Sequence, residues 1–355
     1  MTARTDQMTP RERVLAALAG QDVDRPPVSL WQHFPDRDQS AAALGESTRW
    51  WQGLLDLDFI KLMPPGDYAT IDWGLTSEFR GAKGGTRDTT FYPIQTIDDW
   101  RKVQPVHVRE GFNGQMVDAC AVVRDMLGPD VPLLQTIFSP LTIANKLSDG
   151  LIIEHLRENP DLVHETLSTI RDVTIEVTKA SMAAGASGVF FASQCATTDA
   201  MTREEYDAFG VPYDLPVIEA ANSAGSEFTM IHIHGANTFF ELLAGYPGHA
   251  INWHDRRVGP PIPAALADAP DRAAVAGIDE QGIAIASPRA VRNQVRQARD
   301  AAQDRHLLVG PGCVIAVATP IENLQAAVAA AREPHTWETD MDNQDEERQL
   351  GWFNV

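Results

Sequence analysis

Cysteine is scarce. Only Cys120, Cys195 and Cys313 occur in 355 residues, too few and too far apart for a disulfide framework. Basic residues are also in short supply, 29 lysines and arginines against 49 aspartates and glutamates. The resulting net charge of −20 argues against nucleic acid or an anionic membrane as partner. No apolar stretch approaches the roughly 18 residues of a membrane span, and the first seven residues, Met1-Thr-Ala-Arg-Thr-Asp-Gln7, hold no apolar signal core. No Gly-x-Gly-x-x-Gly follows the first strand pattern, so a dinucleotide fold has no support, and no short solenoid repeat is present. What remains, 44% hydrophobic and 22% charged, is the composition of a globular protein with a sizeable core, with a cytoplasmic enzyme as the expectation.

Strand patterns begin near residues 28, 58, 132, 188, 227, 250, 274 and 307, and helical patterns separate most of them. Eight such alternations predict an α/β fold, a closed (β/α)8 TIM barrel spanning 1–355 as a single domain. The first helix announces itself with a capping Thr9, Pro10 at its first position and Glu12 in its first turn. Residues 66–110 lack a sustained period and read as an insertion after the second strand, with a hairpin expected around Gly84-Gly85. Beyond residue 333 the chain is an acidic tail containing Trp337 and Trp352.

Chemistry in such barrels gathers at the C-terminal ends of the strands, and that is where the unusual polar residues of this chain fall. The fifth strand ends in His232 and His234, two apart and therefore on one side of an extended chain. Cys313 follows the eighth strand behind a Pro-Gly turn. Two imidazoles and one thiolate make a zinc shell, with a fourth position left for water or substrate. His254 and Asp255, after the sixth strand, are candidates for a fourth ligand, a supporting partner or a general base, with Glu280 in support. Trp31, His33, Lys61, Gln135, Ser139, Gln194 and Trp253 occupy the remaining strand exits as candidate substrate-binding residues.

The run Thr9-Pro-Arg-Glu-Arg-Val-Leu-Ala-Ala-Leu18 and then Asp24-Arg-Pro-Pro27 resembles the start of the uroporphyrinogen decarboxylase superfamily. Gly310-Pro-Gly-Cys-Val-Ile-Ala-Val-Ala-Thr-Pro-Ile-Glu-Asn-Leu324 resembles its C-terminal signature. The resemblance runs from about 9 to 332 and implies the same barrel. Where the true decarboxylases carry an arginine-rich stretch and a pyrrole-binding aspartate, this chain reads Trp31-Gln-His-Phe-Pro35 and Lys61-Leu-Met-Pro-Pro65. Cys313 stands in place of their Gly-His-Gly turn. The corrinoid-linked methyltransferases of the superfamily bind zinc through His-x-Cys after strand 5 and Cys after strand 8. This chain matches at His232 and Cys313 but has His234 at the first of those cysteines. The run Ile251-Asn-Trp-His-Asp-Arg256 looks characteristic of a less studied branch.

The resemblance therefore implies a zinc-dependent methyltransferase with a thiol-type acceptor. Its methyl donor would be a small methylated compound or a corrinoid. The chain lacks the Asp-x-His-x-x-Gly corrinoid signature, so a corrinoid would ride on a separate carrier protein. The alternative is a metal-free decarboxylase or lyase, in which Lys61 and His33 hold a carboxylate and His254 donates a proton. Homodimerisation through facing barrel mouths is the arrangement of the decarboxylase relatives.

Overall fold

The capping signals at the N-terminus act as expected. In the helix Pro10–Leu18 the Thr9 N–H donates to the Glu12 carboxylate at 2.8 Å, and the Glu12 N–H donates to Thr9 Oγ1 at 3.3 Å. The computed structural model describes residues 6–334, and the expected acidic tail beyond Pro334 lies outside the described residues. Among the described residues no helix is long and apolar enough to cross a membrane.

Seven strands form one parallel sheet in the order β1 (Ile60–Lys61), β4 (Leu133–Phe138), β5 (Gly188–Ser193), β6 (Met230–Ile233), β7 (Ala250–Trp253), β8 (Ala273–Ile278) and β9 (Leu307–Pro311). Every residue of these strands is buried, as both faces of a parallel sheet under a helical layer must be. The eighth stave, expected at 28–31, is reduced to a single parallel bridge between Val28 and Val309. It still closes the barrel. Ser29 N–H donates to Val309 O at 3.0 Å on one side, and Asp58 N–H donates to Val28 O at 2.9 Å on the other.

The shortening has a local cause. Pro26 and Pro27 have no N–H to give a ladder, the Val28 N–H is taken by the Asp58 carboxylate, and Leu30 O accepts from Trp51 Nε1.

The insertion is present and ordered: a short helix Tyr68–Ile71, the antiparallel hairpin β2 (Thr76–Glu78) and β3 (Asp88–Phe91), and a 3-10 helix Ile97–Lys102. Its hairpin loop, which includes Gly84 and Gly85, lies across the C-terminal end of the barrel. There Val317 N–H donates to Lys83 O at 2.9 Å and Arg87 Nη1 donates to Pro35 O at 3.3 Å.

Two helical details differ from the sequence pattern. The helical stretch expected over 203–224 is two helices, Arg203–Phe209 and Val211–Ser223, divided at Gly210. A short helix not expected from its proline-rich start, Ile262–Asp268, follows Pro261 and carries proline in its first turn, where the missing N–H costs nothing.

Candidate metal centre and barrel mouth

Parallel pairing carries side-chain direction from strand to strand. Lys61 lies beside Leu134, Thr136 beside Phe190, Ala192 beside His232, and His232 beside Asn252. Partners in such a register point the same way, here into the barrel. His234 and His254 follow two residues after His232 and Asn252, so both stay on that side as the chain leaves the strands.

The outcome is a cluster of four donors, His232, His234, His254 and Cys313, whose ligand atoms all lie within 4.8 Å of one another. Cys313 Sγ is 3.8 Å from His232 Nε2 and 3.6 Å from His234 Nδ1, and His254 Nε2 is 3.3 Å from His234 Nδ1. A tetrahedral zinc with ordinary bond lengths has edges of about 3.3 Å between nitrogens and about 3.6 Å between nitrogen and sulfur. These three separations lie within about 0.2 Å of those edges.

Hydrogen bonds fix which nitrogens face the centre. Asn252 Nδ2 donates to Val275 O at 2.7 Å and to Pro311 O at 3.0 Å. Its Oδ1 is therefore an acceptor, and it receives the His232 Nδ1–H at 2.6 Å. Glu280 Oε1 receives the His254 Nδ1–H at 2.6 Å. Both rings thus turn a bare Nε2 toward the same point, the arrangement in which an outer partner orients a metal-bound imidazole.

Burial reinforces it. His232 is held well below the usual histidine range by burial and then by His234 and His254, and His234 is lowered to about 4 by burial and then by His254. Neutral imidazole is the ligand form. The same burial pushes the Cys313 thiol up to about 11; a bound cation is what would bring it down. The residues present fit a zinc ion.

Glu280 reaches His254 because the strand alternation breaks just before it. Gly277 has φ +109, and a Cβ there would lie 2.5 Å from Ala298 Cβ in the helix Pro288–Ala302. Only glycine adopts that conformation without strain. Asp279 then caps the turn behind the strand, accepting from Gln281 and Gly282 N–H, while Glu280 faces the cluster. Gly312 lets the Cys313 loop come close, since a Cβ would meet Glu280 Oε2 at 2.9 Å and Trp253 O at 2.8 Å.

Three of the expected substrate-binding residues also face the barrel interior. Lys61 is buried, its ammonium donating to Met63 Sδ at 2.7 Å and lying 4.4 Å from the Phe190 ring centroid. Burial lowers it to about 7. Trp31 packs edge-on against the same Phe190, and Phe190 in turn stacks on His232 at 4.9 Å. His33 is lowered to about 3 by burial and then by Lys61 and Lys146. Gln194 remains half-buried at the mouth, its N–H held by Thr142 Oγ1.

Four expected site residues point elsewhere. Gln135 pairs with Val189, one step out of phase with Thr136 and Phe190, and so faces the helical layer. Ser139 caps the helix Pro140–Leu147, its Oγ accepting from Thr142 N–H. Trp253 alternates with Asn252, packs on Phe240 and donates to Pro260 O at 2.8 Å. Asp255 is buried behind the strand ends, accepting from Gly277 N–H at 3.0 Å, with its carboxyl raised to about 7 by burial. Period-two alternation removes all four from the mouth.

Two residues that matter were not singled out from sequence, Asn252 and Phe190. Asn252 had a readable signal, a lone amide inside the apolar run Ala250-Ile-Asn-Trp253. Phe190 had none, being one aromatic residue in an apolar strand.

Comparisons with known proteins give the chain's family and fold. The sequence profile of the uroporphyrinogen decarboxylase (URO-D) family matches residues 58–334. Methylcobamide:CoM methyltransferase MtbA of Methanosarcina acetivorans is 21% identical over 342 residues, spanning 92% of this chain and 98% of that protein. Uroporphyrinogen decarboxylase of Carboxydothermus hydrogenoformans is 29% identical over 164 residues, but spans only 41% of this chain and 46% of its own length. Among solved structures, a methyltransferase from Methanosarcina mazei superposes with a TM-score of 0.80 at 21% identity, covering 92% and 98% of the two chains. The chain belongs to the uroporphyrinogen decarboxylase family, in its methyltransferase-like branch.

Proposed function

We propose that this methyltransferase works through a zinc ion held by His232, His234, His254 and Cys313, and that its methyl acceptor is a thiol. The observation that carries the reading is the convergence of three imidazoles and one thiol within 4.8 Å at the barrel mouth, the donor set of a zinc site. Zinc there would supply a Lewis acid that keeps an acceptor thiol deprotonated near neutral pH.

The chain's own residues do the rest. Asn252 holds the His232 ring in one tautomer, and Glu280 does the same for His254. His254 is the donor suited to make way for an incoming acceptor. It sits past the strand end, and Glu280 can hold its proton-bearing side whether or not Nε2 is engaged. The methyl donor is a methylcorrinoid, as the relatives' name methylcobamide:CoM methyltransferase suggests, or a small methylated compound.

The test is methyl transfer from methylcobalamin to a panel of small thiols, followed by loss of the methylcorrinoid absorbance. Cys313→Ser and chelator-treated enzyme should each lose about a hundredfold or more of the rate, with zinc restoring only the latter. Transfer that survives both the substitution and metal removal would overturn the reading.

A further inference from the structure

Of the five lysines in this acidic chain, two, Lys61 and Lys146, come to one side of the barrel mouth. Lys61 is buried and Lys146 half-buried, and both bear electrostatically on His33. Lys61 is the deeper. Its ammonium touches a thioether and the face of Phe190, and no carboxylate pairs with it among the described residues. A thioether and a ring face replace only part of the water an ammonium loses, so an unpaired cation in such a place is costly unless something charged joins it.

Trp31 stands against the same ring, its centroid 5.9 Å from that of Phe190, and its Nε1 has no hydrogen-bond partner among the described residues. His33 Nδ1, two residues further on the same side, has none either. Lys146 lies over Phe138 and lines a cleft of about 400 Å³ under the insertion, where Asp67 and Asp149 also stand.

We propose that Lys61 and the Trp31 indole N–H form the seat for a carboxylate on the methyl acceptor, which is therefore a short-chain thiol acid rather than a neutral thiol. Two donor groups on side chains that meet the same ring suit the two oxygens of a planar carboxylate, where a sulfonate or phosphate would present a third oxygen with no donor assigned to it. Phe190 contacts both Lys61 and His232, so the seat and the donor cluster share one aromatic neighbour. A short acid fixed there by its carboxylate places its thiol at the four-donor cluster. The thiol half of this inference rests on the proposed zinc-thiol chemistry, while the carboxylate seat stands on Lys61 and Trp31 alone.

Calorimetric titration of the full-length protein with propionate, against 1-propanol as the uncharged control, tests the seat without any metal chemistry. Wild type should bind propionate and not propanol. Lys61→Met should weaken propionate binding about tenfold or more, and Lys61→Gln should do the same if Met disturbs packing. Absence of propionate binding in the wild type, or equal binding in both Lys61 variants, would overturn the proposal. A second arm compares 3-mercaptopropionate with 2-mercaptoethanol on cobalt-substituted enzyme, read by the cobalt absorption bands. Preference for the acid in the wild type, lost in Lys61→Met, extends the seat to the acceptor. Propionate binding without a cobalt response to any thiol would instead count against the zinc-thiol reading and leave the seat standing.

Discussion

The two ends of the barrel treat buried charge in opposite ways. At the N-terminal end, Asp58 accepts from Arg13 Nη1 at 2.6 Å, Arg25 Nη1 at 2.6 Å and the Val28 N–H at 2.8 Å. Asp24 takes both the Nε and Nη2 of Arg13. Against its burial, these bonds and the N–H groups of Met8 and Gln7 hold Asp24 down to about 2. Each charge there has its opposite in contact. At the C-terminal end, Lys61 has no such opposite among the described residues, and Trp31 Nε1, His33 Nδ1 and Glu280 Oε2 have no hydrogen-bond partner among them. Paired charges fasten the chain start to the barrel floor. The unpaired groups Lys61, Trp31 Nε1, His33 Nδ1 and Glu280 Oε2, on the side where the four metal-type donors converge, are valences open to something that binds.

The largest effect should come from breaking the floor. Asp58→Ala leaves Arg13 and Arg25 buried without their shared carboxylate, and stability should fall by about 3–5 kcal/mol in denaturant unfolding. Metal affinity of the protein that remains folded should stay within about twofold. At the mouth the pattern reverses. Asn252→Leu or Glu280→Ala, each removing a partner of a ligand imidazole, should weaken zinc binding about 10–100-fold in a chelator competition, with a smaller loss of stability than at Asp58. Lys61→Met should stabilise the metal-free protein by about 1 kcal/mol, because it removes an unpaired buried cation.

That variant also has a pH signature. The folded Lys61 is lowered to about 7 from an ordinary lysine value of 10.5. Its folded form binds fewer protons than the unfolded chain over that window, so its contribution makes stability rise with pH between about 7 and 10. The methionine variant should lose that rise. The smallest effect is a proton count. Because burial keeps the metal-free Cys313 thiol protonated up to about 11, zinc loading near pH 7 should release the thiol proton, and Cys313→Ser should lower the measured proton release accordingly. Calorimetry in buffers of different ionisation enthalpy reads it directly.

Much of this was legible in the sequence, for definable reasons. Apolar runs broken by Gly and Pro located all the strands of the barrel, and His232, His234 and Cys313 stood out because such residues rarely close apolar runs. Direction was harder. Gln135, Ser139, Trp253 and Asp255 sit at strand ends like the true mouth residues, yet each points into the helical layer. A one-residue change of phase decides the face, and only pairing with the neighbouring strand fixes the phase. The backbone at Gly277 reverses it once more and sends Glu280, not Asp279, to His254. Val28-Ser-Leu-Trp31 has the composition of a strand but makes one bridge, because side chains of Asp58 and Trp51 take backbone groups a ladder would have used.

The central claim is that the four convergent donors hold one metal ion. It is tested most directly by cobalt substitution of the full-length protein, with metal content measured on the same samples. One cobalt per chain, with the absorption of a four-coordinate ion and a thiolate charge-transfer band that disappears in Cys313→Ser, is the result the geometry predicts. An ion bound without the thiolate band, or no stoichiometric uptake by the wild type, would contradict it.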